Sequence, residues 1–247
     1  MRGYHRRLLI FKRLLVYNKM GFRKVTHVLF DMDGLILNSE ILYSMAIQNI
    51  LSRYGKEYTF EFKQKLMGLQ SHESAKMIIS THDLPLSVEE MMEESNKQFL
   101  ELFPNSELMP GAKNLIEHFH KHNVPMALAT MSSKFSYDLK TAKHQDLFDM
   151  LKIKTIGSSD PEVKRGKPYP DIFLITANRF PDKPKPEQCL VFEDAVNGVV
   201  AAKAAGMQVV MVPDPRVEKS ATADATLVLS SLVDFKPELF GLPAFTT

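Results

Sequence analysis

The chain has 247 residues, 45% of them hydrophobic and 24% charged, with a formal net charge of +2 and one cysteine, Cys189, which suits one large globular domain or a core with a smaller companion. A lone cysteine forms no internal disulfide and no Asn-x-Ser/Thr acceptor occurs, so secretion is disfavoured and a reducing, cytoplasmic setting fits. Eight positive charges precede the first acidic residue, Asp31, leaving the rest net acidic with no broad basic face for nucleic acid, and no apolar run nears the ~20 residues that cross a bilayer.

Residues 1–22 are a basic extension in which Leu8, Phe11, Leu14 and Leu15 alternate with arginine and lysine. They could form a short amphipathic helix whose composition is similar to a mitochondrial presequence. The competing reading is an unstructured extension ahead of a second start at Met20. Val25 to Phe30 then reads as a buried strand that stops at Asp-Met-Asp-Gly. From 38 to 107 the chain reads as helix after helix. Ser39–Tyr54, Ser71–Ser80 and Ser87–Leu102 each open on serine, a favoured N-cap, with apolar residues at i, i+3 and i+4.

Pro110-Gly111 marks the return to an alternating pattern, with a helix over Ala112–His120 leading into a strand at Val124–Ala129. Cys189–Phe192 and Met207–Val212 are further strands, Lys152–Ile156 and Thr226–Leu229 weaker ones, and helical patterns lie between them. Strands alternating with helices predict an α/β fold with a parallel sheet covered on both faces. The domains expected are a core from 23–37 and 108–247 and a helical insert from 38–107.

Ligands of such sheets bind beyond the carboxyl ends of the strands. There the first strand delivers Asp31 and Asp33, the second Thr130, and the run Leu190–Phe192 delivers Glu193 and Asp194, while Lys167 stands in Gly-Lys-Pro-Tyr-Pro-Asp before a helix. Carboxylates at i and i+2 on extended backbone face the same way, and Gly34 lets the chain turn off directly after them. Asp31, Asp33, Glu193 and Asp194 would repel one another without a cation, and a hard, oxygen-rich donor set suits Mg²⁺. Asp31 is then a nucleophile toward phosphorus and Asp33 the proton donor and acceptor, with Lys167 and Thr130 holding the phosphoryl oxygens. Ser132, in the loop after Thr130, and Gly34 are further substrate-contact candidates. His118, His120 and His122 lie on or just after one helix at i, i+2 spacing and share no face, which argues against zinc there.

These four segments, in this order, resemble the four motifs of the haloacid dehalogenase-like hydrolase superfamily, over nearly all of residues 25–243. The resemblance implies a Rossmann-like parallel-sheet core with an inserted helical cap of the family's first type, and a magnesium-dependent phosphatase, a monomer, acting on a small phosphorylated metabolite through an aspartyl-phosphate. The segments 25–40, 108–111, 190–194 and 207–214 and the chain's ending are similar to family members that hydrolyse a nucleoside 5'-monophosphate with a carbon-linked base. By the same resemblance Gly68, Gln70, Ser71 and His72 fall in the cap's specificity loop, the alternative being an ordinary polar connection. Asn38 and Met131 depart from the family pattern, which has Asp and a small residue there. Two other readings compete: a sugar phosphomutase or sugar or glycerol phosphatase of the same superfamily, and a diverged, non-catalytic binding protein.

Overall fold

A computed structural model of the protein describes residues 22–67 and 69–245. The expected N-terminal amphipathic helix, the second start at Met20 and the specificity-loop candidate Gly68 lie outside the described residues. Six strands form one sheet: β1 His27–Phe30, β2 Met126–Thr130, β3 Ile153–Ile156, β4 Cys189–Glu193, β5 Gln208–Met211 and β6 Leu227–Val228. All pairings are parallel, in the order β3-β2-β1-β4-β5-β6. Each run read as a strand is one, the two weaker runs included. β1 and β2 begin two residues late because the N–H groups of Val25 and Val124 bond to Phe240 O and Phe119 O instead of joining the ladder.

The segment 38–107, which follows β1, carries four helices, α1 Glu40–Ser52, α2 Phe60–Leu66, α3 Ser71–His82 and α4 Val88–Leu102. After them follow α5 Ala112–Lys121, α6 Lys134–Thr141, α7 Gln145–Phe148, α8 Asp171–Asn178 and α9 Val196–Ala204. The two-residue period of the pleat divides the core. Val28, Phe30, Leu128, Phe192 and Val210 face one side, covered by α5, α6, α7 and the C-terminal Phe235 and Phe240, whereas Leu29, Ala127, Ala129, Val191 and Val209 face α8 and α9. Phe119 and Phe173, one under each face, are fully buried, each contributing about 1.5–3 kcal/mol of apolar burial.

The insert has its own apolar centre, built from Ile47, Ile50, Leu51, Phe62, Leu66, Ile78 and Met91. Its entry and exit run side by side: Leu37 bridges Leu108, Asn38 N–H donates to Glu107 O at 2.8 Å and Met109 N–H to Ile36 O at 2.8 Å. Asn38 contributes here through its backbone, and its side chain is exposed.

The three expected N-caps behave differently. Ser87 makes a full capping box with Glu90, the arrangement that satisfies two orphan N–H groups at once. Ser71 is the first residue inside α3, with Gln70 at the cap position. Ser39 does sit at the cap of α1 but makes no cap bond; its hydroxyl is spent on Asp33. The seven-residue α2, capped by the Thr59 side chain accepting from Phe62 N–H, was not anticipated from the sequence, since so short a helix shows barely two turns of periodicity.

Candidate active site

β1 is central, flanked by β2 and β4, so the chain crosses to opposite sides of the sheet after leaving it. A ligand crevice opens at such a switch point, outside the carboxyl ends of the strands. Asp31 follows β1, Thr130 ends β2, and Glu193 ends β4 with Asp194 next. The Asp31 N–H donates to Phe192 O at 3.0 Å, locking its backbone against β4.

Lys167, 2% exposed, reaches this point from the loop before α8. Its ammonium donates to Asp31 Oδ1 at 2.5 Å and to Glu193 Oε1 at 2.5 Å. Asp31, Glu193 and Asp194 are buried, and each offers a carboxylate oxygen within 4.8 Å of the others. Two glycines make this crowding possible. A Cβ at Gly34, where φ is +78°, would lie 2.1 Å from Asp194 Oδ2, and one at Gly198 would lie 2.0 Å from Glu193 Cδ. At the start of α9 the N–H groups of Asp194 and Ala195 donate to Glu193 Oε2 at 3.2 and 3.3 Å.

The charges there do not balance. Lys167 is shared by Asp31 and Glu193, and among the described residues Asp194 has no ion-pair partner. Burial first, then the charges of Asp31, Glu193 and Glu40, push the Asp194 carboxyl well above its ordinary value. Burial also raises the Asp31 carboxyl, and the nearby Lys167 ammonium only partly offsets it. For Lys167 burial is again the strongest single influence, here against the charged form, but the charges and hydrogen bonds of Asp31 and Glu193 together outweigh it and hold the ammonium protonated. A donor set of clustered buried carboxylates with one too few cations fits a small hard divalent ion, and Asp31, Glu193 and Asp194 are the residues that would hold it.

Asp33 was expected among these ligands, but the structure places its carboxylate elsewhere. Ser39 Oγ donates to Oδ1 at 2.5 Å, Lys140 Nζ to Oδ1 at 2.5 Å and Ser132 Oγ to Oδ2 at 2.7 Å. Burial would raise the Asp33 carboxyl, but the Lys140 ammonium and these hydrogen bonds outweigh it and hold the group below the ordinary carboxylate range. Thr130 Oγ1 stands 3.5 Å from Asp33 Oδ2 and accepts the Ser132 N–H at 3.1 Å, so it shapes the loop that carries Ser132. Lys140 itself escaped the sequence reading. A signal was present, for Tyr137, Lys140 and Thr141 stand at the i, i+3, i+4 spacing of a buried stripe, where a lysine calls for a partner.

Above these groups lies a cavity of about 340 Å³, walled on the insert side by Tyr43, Tyr58, Lys63, Met92, Asn96 and Phe99 among others. Lys63 Nζ pairs with Glu40 Oε2 at 3.0 Å and donates to the Glu40 backbone carbonyl at 2.9 Å. The specificity-loop candidates are split. Ser71 lines the cavity, Gln70 packs on Gly166 of the core, and His72 is on the exposed face of α3, outside the cavity lining. Asn197 Nδ2 on α9 donates to Met67 O at 2.9 Å, tying this part of the insert to the core. The large Met131 is accommodated because Gly157 has no side chain; a Cβ there would meet the thioether sulfur at 2.6 Å.

A switch-point crevice of clustered carboxylates, a buried lysine and a helical insert over it defines a class of α/β hydrolases. The family model for haloacid dehalogenase-like hydrolases matches residues 28–212, and the chain belongs to that family. It is 54% identical over 224 residues to a probable pseudouridine-5'-phosphatase of Drosophila melanogaster, covering 91% of this chain and 97% of that one. It is 47% identical over 228 residues to (DL)-glycerol-3-phosphatase 2 of Arabidopsis thaliana, covering 91% and 95%. The fold matches the crystal structure of CbbY from Rhodobacter sphaeroides in complex with phosphate with a TM-score of 0.72 at 23% identity, over 85% of this chain and 96% of that one. The protein is thus an enzyme, a phosphatase of this family. Among the described residues no helix is long and apolar enough to cross a membrane.

Proposed function

We propose that the protein is a magnesium-dependent phosphatase that hydrolyses the 5'-phosphate of a nucleoside with a carbon-linked base, pseudouridine 5'-phosphate, through an aspartyl-phosphate. The observation that carries the reaction is Asp31, buried at the end of β1, paired to Lys167 and opening on the cavity beneath the insert. The substrate is supported by the 54% identity to a probable pseudouridine-5'-phosphatase and by a cavity mixing apolar walls with Tyr58, Lys63 and Asn96, which suits a flat polar base on a sugar.

In the first step an Asp31 oxygen bonds to phosphorus and the bond from phosphorus to the ester oxygen breaks, its electron pair staying on the leaving oxygen, which takes a proton from Asp33. At rest Asp33 is a carboxylate; the negative phosphoryl group brought beside it raises its proton affinity against the pull of Lys140, so that it takes from solvent, as the substrate binds, the proton it then gives to the leaving oxygen. In the second step Asp33 takes a proton from water, the water oxygen bonds to phosphorus, and the bond to Asp31 breaks to give inorganic phosphate and the free carboxylate. Lys167 lies against both Asp31 and Glu193, where it keeps the nucleophile oriented and faces the charge moving through the phosphoryl oxygens. Thr130 and Ser132 shape the loop on the other side. Asp31, Glu193 and Asp194 would hold magnesium, which would supply the positive charge that lets an anionic nucleophile approach a phosphate.

The 47% identity to a glycerol-3-phosphatase supports a second reading, a small polyol phosphate. One experiment treats both: specificity constants on a panel containing pseudouridine 5'-phosphate, uridine 5'-phosphate, glycerol 3-phosphate and glucose 1-phosphate, with and without Mg²⁺. The highest value is expected for pseudouridine 5'-phosphate, and Asp31→Asn should abolish phosphate release. A higher value for glycerol 3-phosphate overturns the substrate, isomerisation of glucose 1-phosphate without phosphate release overturns hydrolysis, and full activity in Asp31→Asn overturns the nucleophile.

A further inference from the structure

Lys140 is the most completely buried charge that the reaction above leaves without a task, its side chain 0% exposed. All three ammonium hydrogens have acceptors. One goes to Asp33 Oδ1 at 2.5 Å, one to Ser132 Oγ at 2.6 Å and one to Tyr43 Oη at 3.1 Å. The ammonium also lies 4.8 Å from the centre of the Tyr43 ring and 5.2 Å from that of Phe103. These partners come from different parts of the molecule. Tyr43 is on α1, the first helix of the insert, Phe103 directly follows α4, its last helix, and Lys140 is on α6 of the core.

A buried ion pair is a weak device for stability, since removing an ammonium and a carboxylate from water costs about what their attraction returns. Its value lies in geometry. Without Lys140, Asp33 is two residues from Asp31 on extended backbone, beside three carboxylates that draw cations. With Lys140, the Asp33 carboxylate is turned aside and still 16% exposed toward the cavity. We infer that Lys140 is a positioning residue that holds the proton-transferring carboxylate of Asp33 clear of the metal-binding carboxylates and in fixed register with the insert through Tyr43. The inference rests on the phosphatase reading, in which Asp33 serves the leaving oxygen.

A positioning role has a signature that a structural role lacks: it depends on how badly the leaving group needs a proton. An alkoxide leaves poorly unless protonated, whereas nitrophenolate leaves unaided. The experiment measures first-turnover rates by rapid quench for the full chain with Mg²⁺ on whichever alkyl ester of the panel above has the highest specificity constant and on para-nitrophenyl phosphate, in wild type, Lys140→Met, Lys140→Arg and Tyr43→Phe. In Lys140→Met the ratio of alkyl to aryl rate should fall about thirtyfold or more, a part of the roughly 10²–10⁴-fold that complete loss of acid–base help costs, because Asp33 itself is still present. Lys140→Arg should restore much of that ratio by keeping the charge and the donors. Tyr43→Phe, which removes a single acceptor of the ammonium, should show a smaller fall of the same kind and keeps the test open if Lys140→Met does not fold.

Equal losses on both esters in Lys140→Met or Tyr43→Phe, or no loss on either, overturn the inference while leaving the phosphatase reading intact. A wild type that forms no aspartyl-phosphate and releases no nitrophenolate instead removes the reading itself, and the positioning role goes with it.

Discussion

Asp194→Asn should make the metal-free protein more stable while making it indifferent to magnesium. The carboxylate oxygens of Asp31, Glu193 and Asp194 stand within 4.8 Å of one another. At that separation and an effective dielectric constant of about 20, each like-charge contact costs about 3 kcal/mol. Lys167 and partial protonation absorb much of this, leaving about 1–3 kcal/mol to be recovered when asparagine replaces the carboxylate. For a chain of this size that is a rise of about 2–12 °C in Tm.

The sign with pH follows from the raised Asp194 carboxyl. An acid whose folded pKa lies above its unfolded one binds protons more tightly when folded, so metal-free stability falls as pH rises from the unfolded value, about 4, toward the folded value. The advantage of Asp194→Asn should therefore be greatest near neutral pH and shrink toward pH 5. Added magnesium at a hundred times its Kd stabilises the wild type by about 2.7 kcal/mol, and the variant should lose most of that increment. Thermal unfolding by circular dichroism in EDTA and in MgCl₂, at several pH values, reads all three effects. A variant that melts below wild type in EDTA, or that keeps the full magnesium increment, refutes the assignment of Asp194 to an under-neutralised cation site.

Two further substitutions test neighbouring parts of the argument. Gly198→Ala places a Cβ 2.0 Å from Glu193 Cδ, so Glu193 must move; magnesium affinity from thermal shifts should fall tenfold or more, and an unchanged affinity would show that Glu193 is not a ligand. Ser87→Ala removes half of the α4 capping box at a cost of about 1 kcal/mol, visible as a lower urea midpoint, with kcat for the preferred ester changed less than twofold because the box is exposed and remote from the cavity lining.

The strands were legible because a parallel sheet buried on both faces leaves near-continuous apolar runs, and the polar residue that ends each run marks the crevice. Asp31, Thr130, Glu193 and Asp194 could be placed on that ground alone, and so could the region of helices between the first two strands. What escaped was contact at long range. Nothing near Asp33 in the chain announces that its carboxylate turns to a lysine of α6, and the i, i+2 rule gives the direction of the bond to Cβ, not the side-chain torsions beyond it. Ser39 was read correctly as an N-cap position, yet its hydroxyl serves Asp33. A local rule was overridden there by a charged acceptor that binds more strongly than a backbone N–H pairing would.

The two lysines explain why this many acids coexist in one crevice without forming a single undifferentiated cluster. Lys167 joins Asp31 to Glu193 and stops there; Lys140 takes Asp33 and stops there. The remaining excess of negative charge is concentrated on Asp194, at the place where a divalent ion would complete the set. In the proposed mechanism the carboxylate that exchanges protons, Asp33, is thereby kept apart from those that would bind the ion. A bound cation stabilises the ionised form of its ligands and so suppresses their protonation, which makes a ligating oxygen a poor proton carrier. On the proposed mechanism, separation of Asp33 from the trio is thus a condition for its acid–base work, and Lys140, which the four motifs do not include, is the residue whose contact with Asp33 would enforce it.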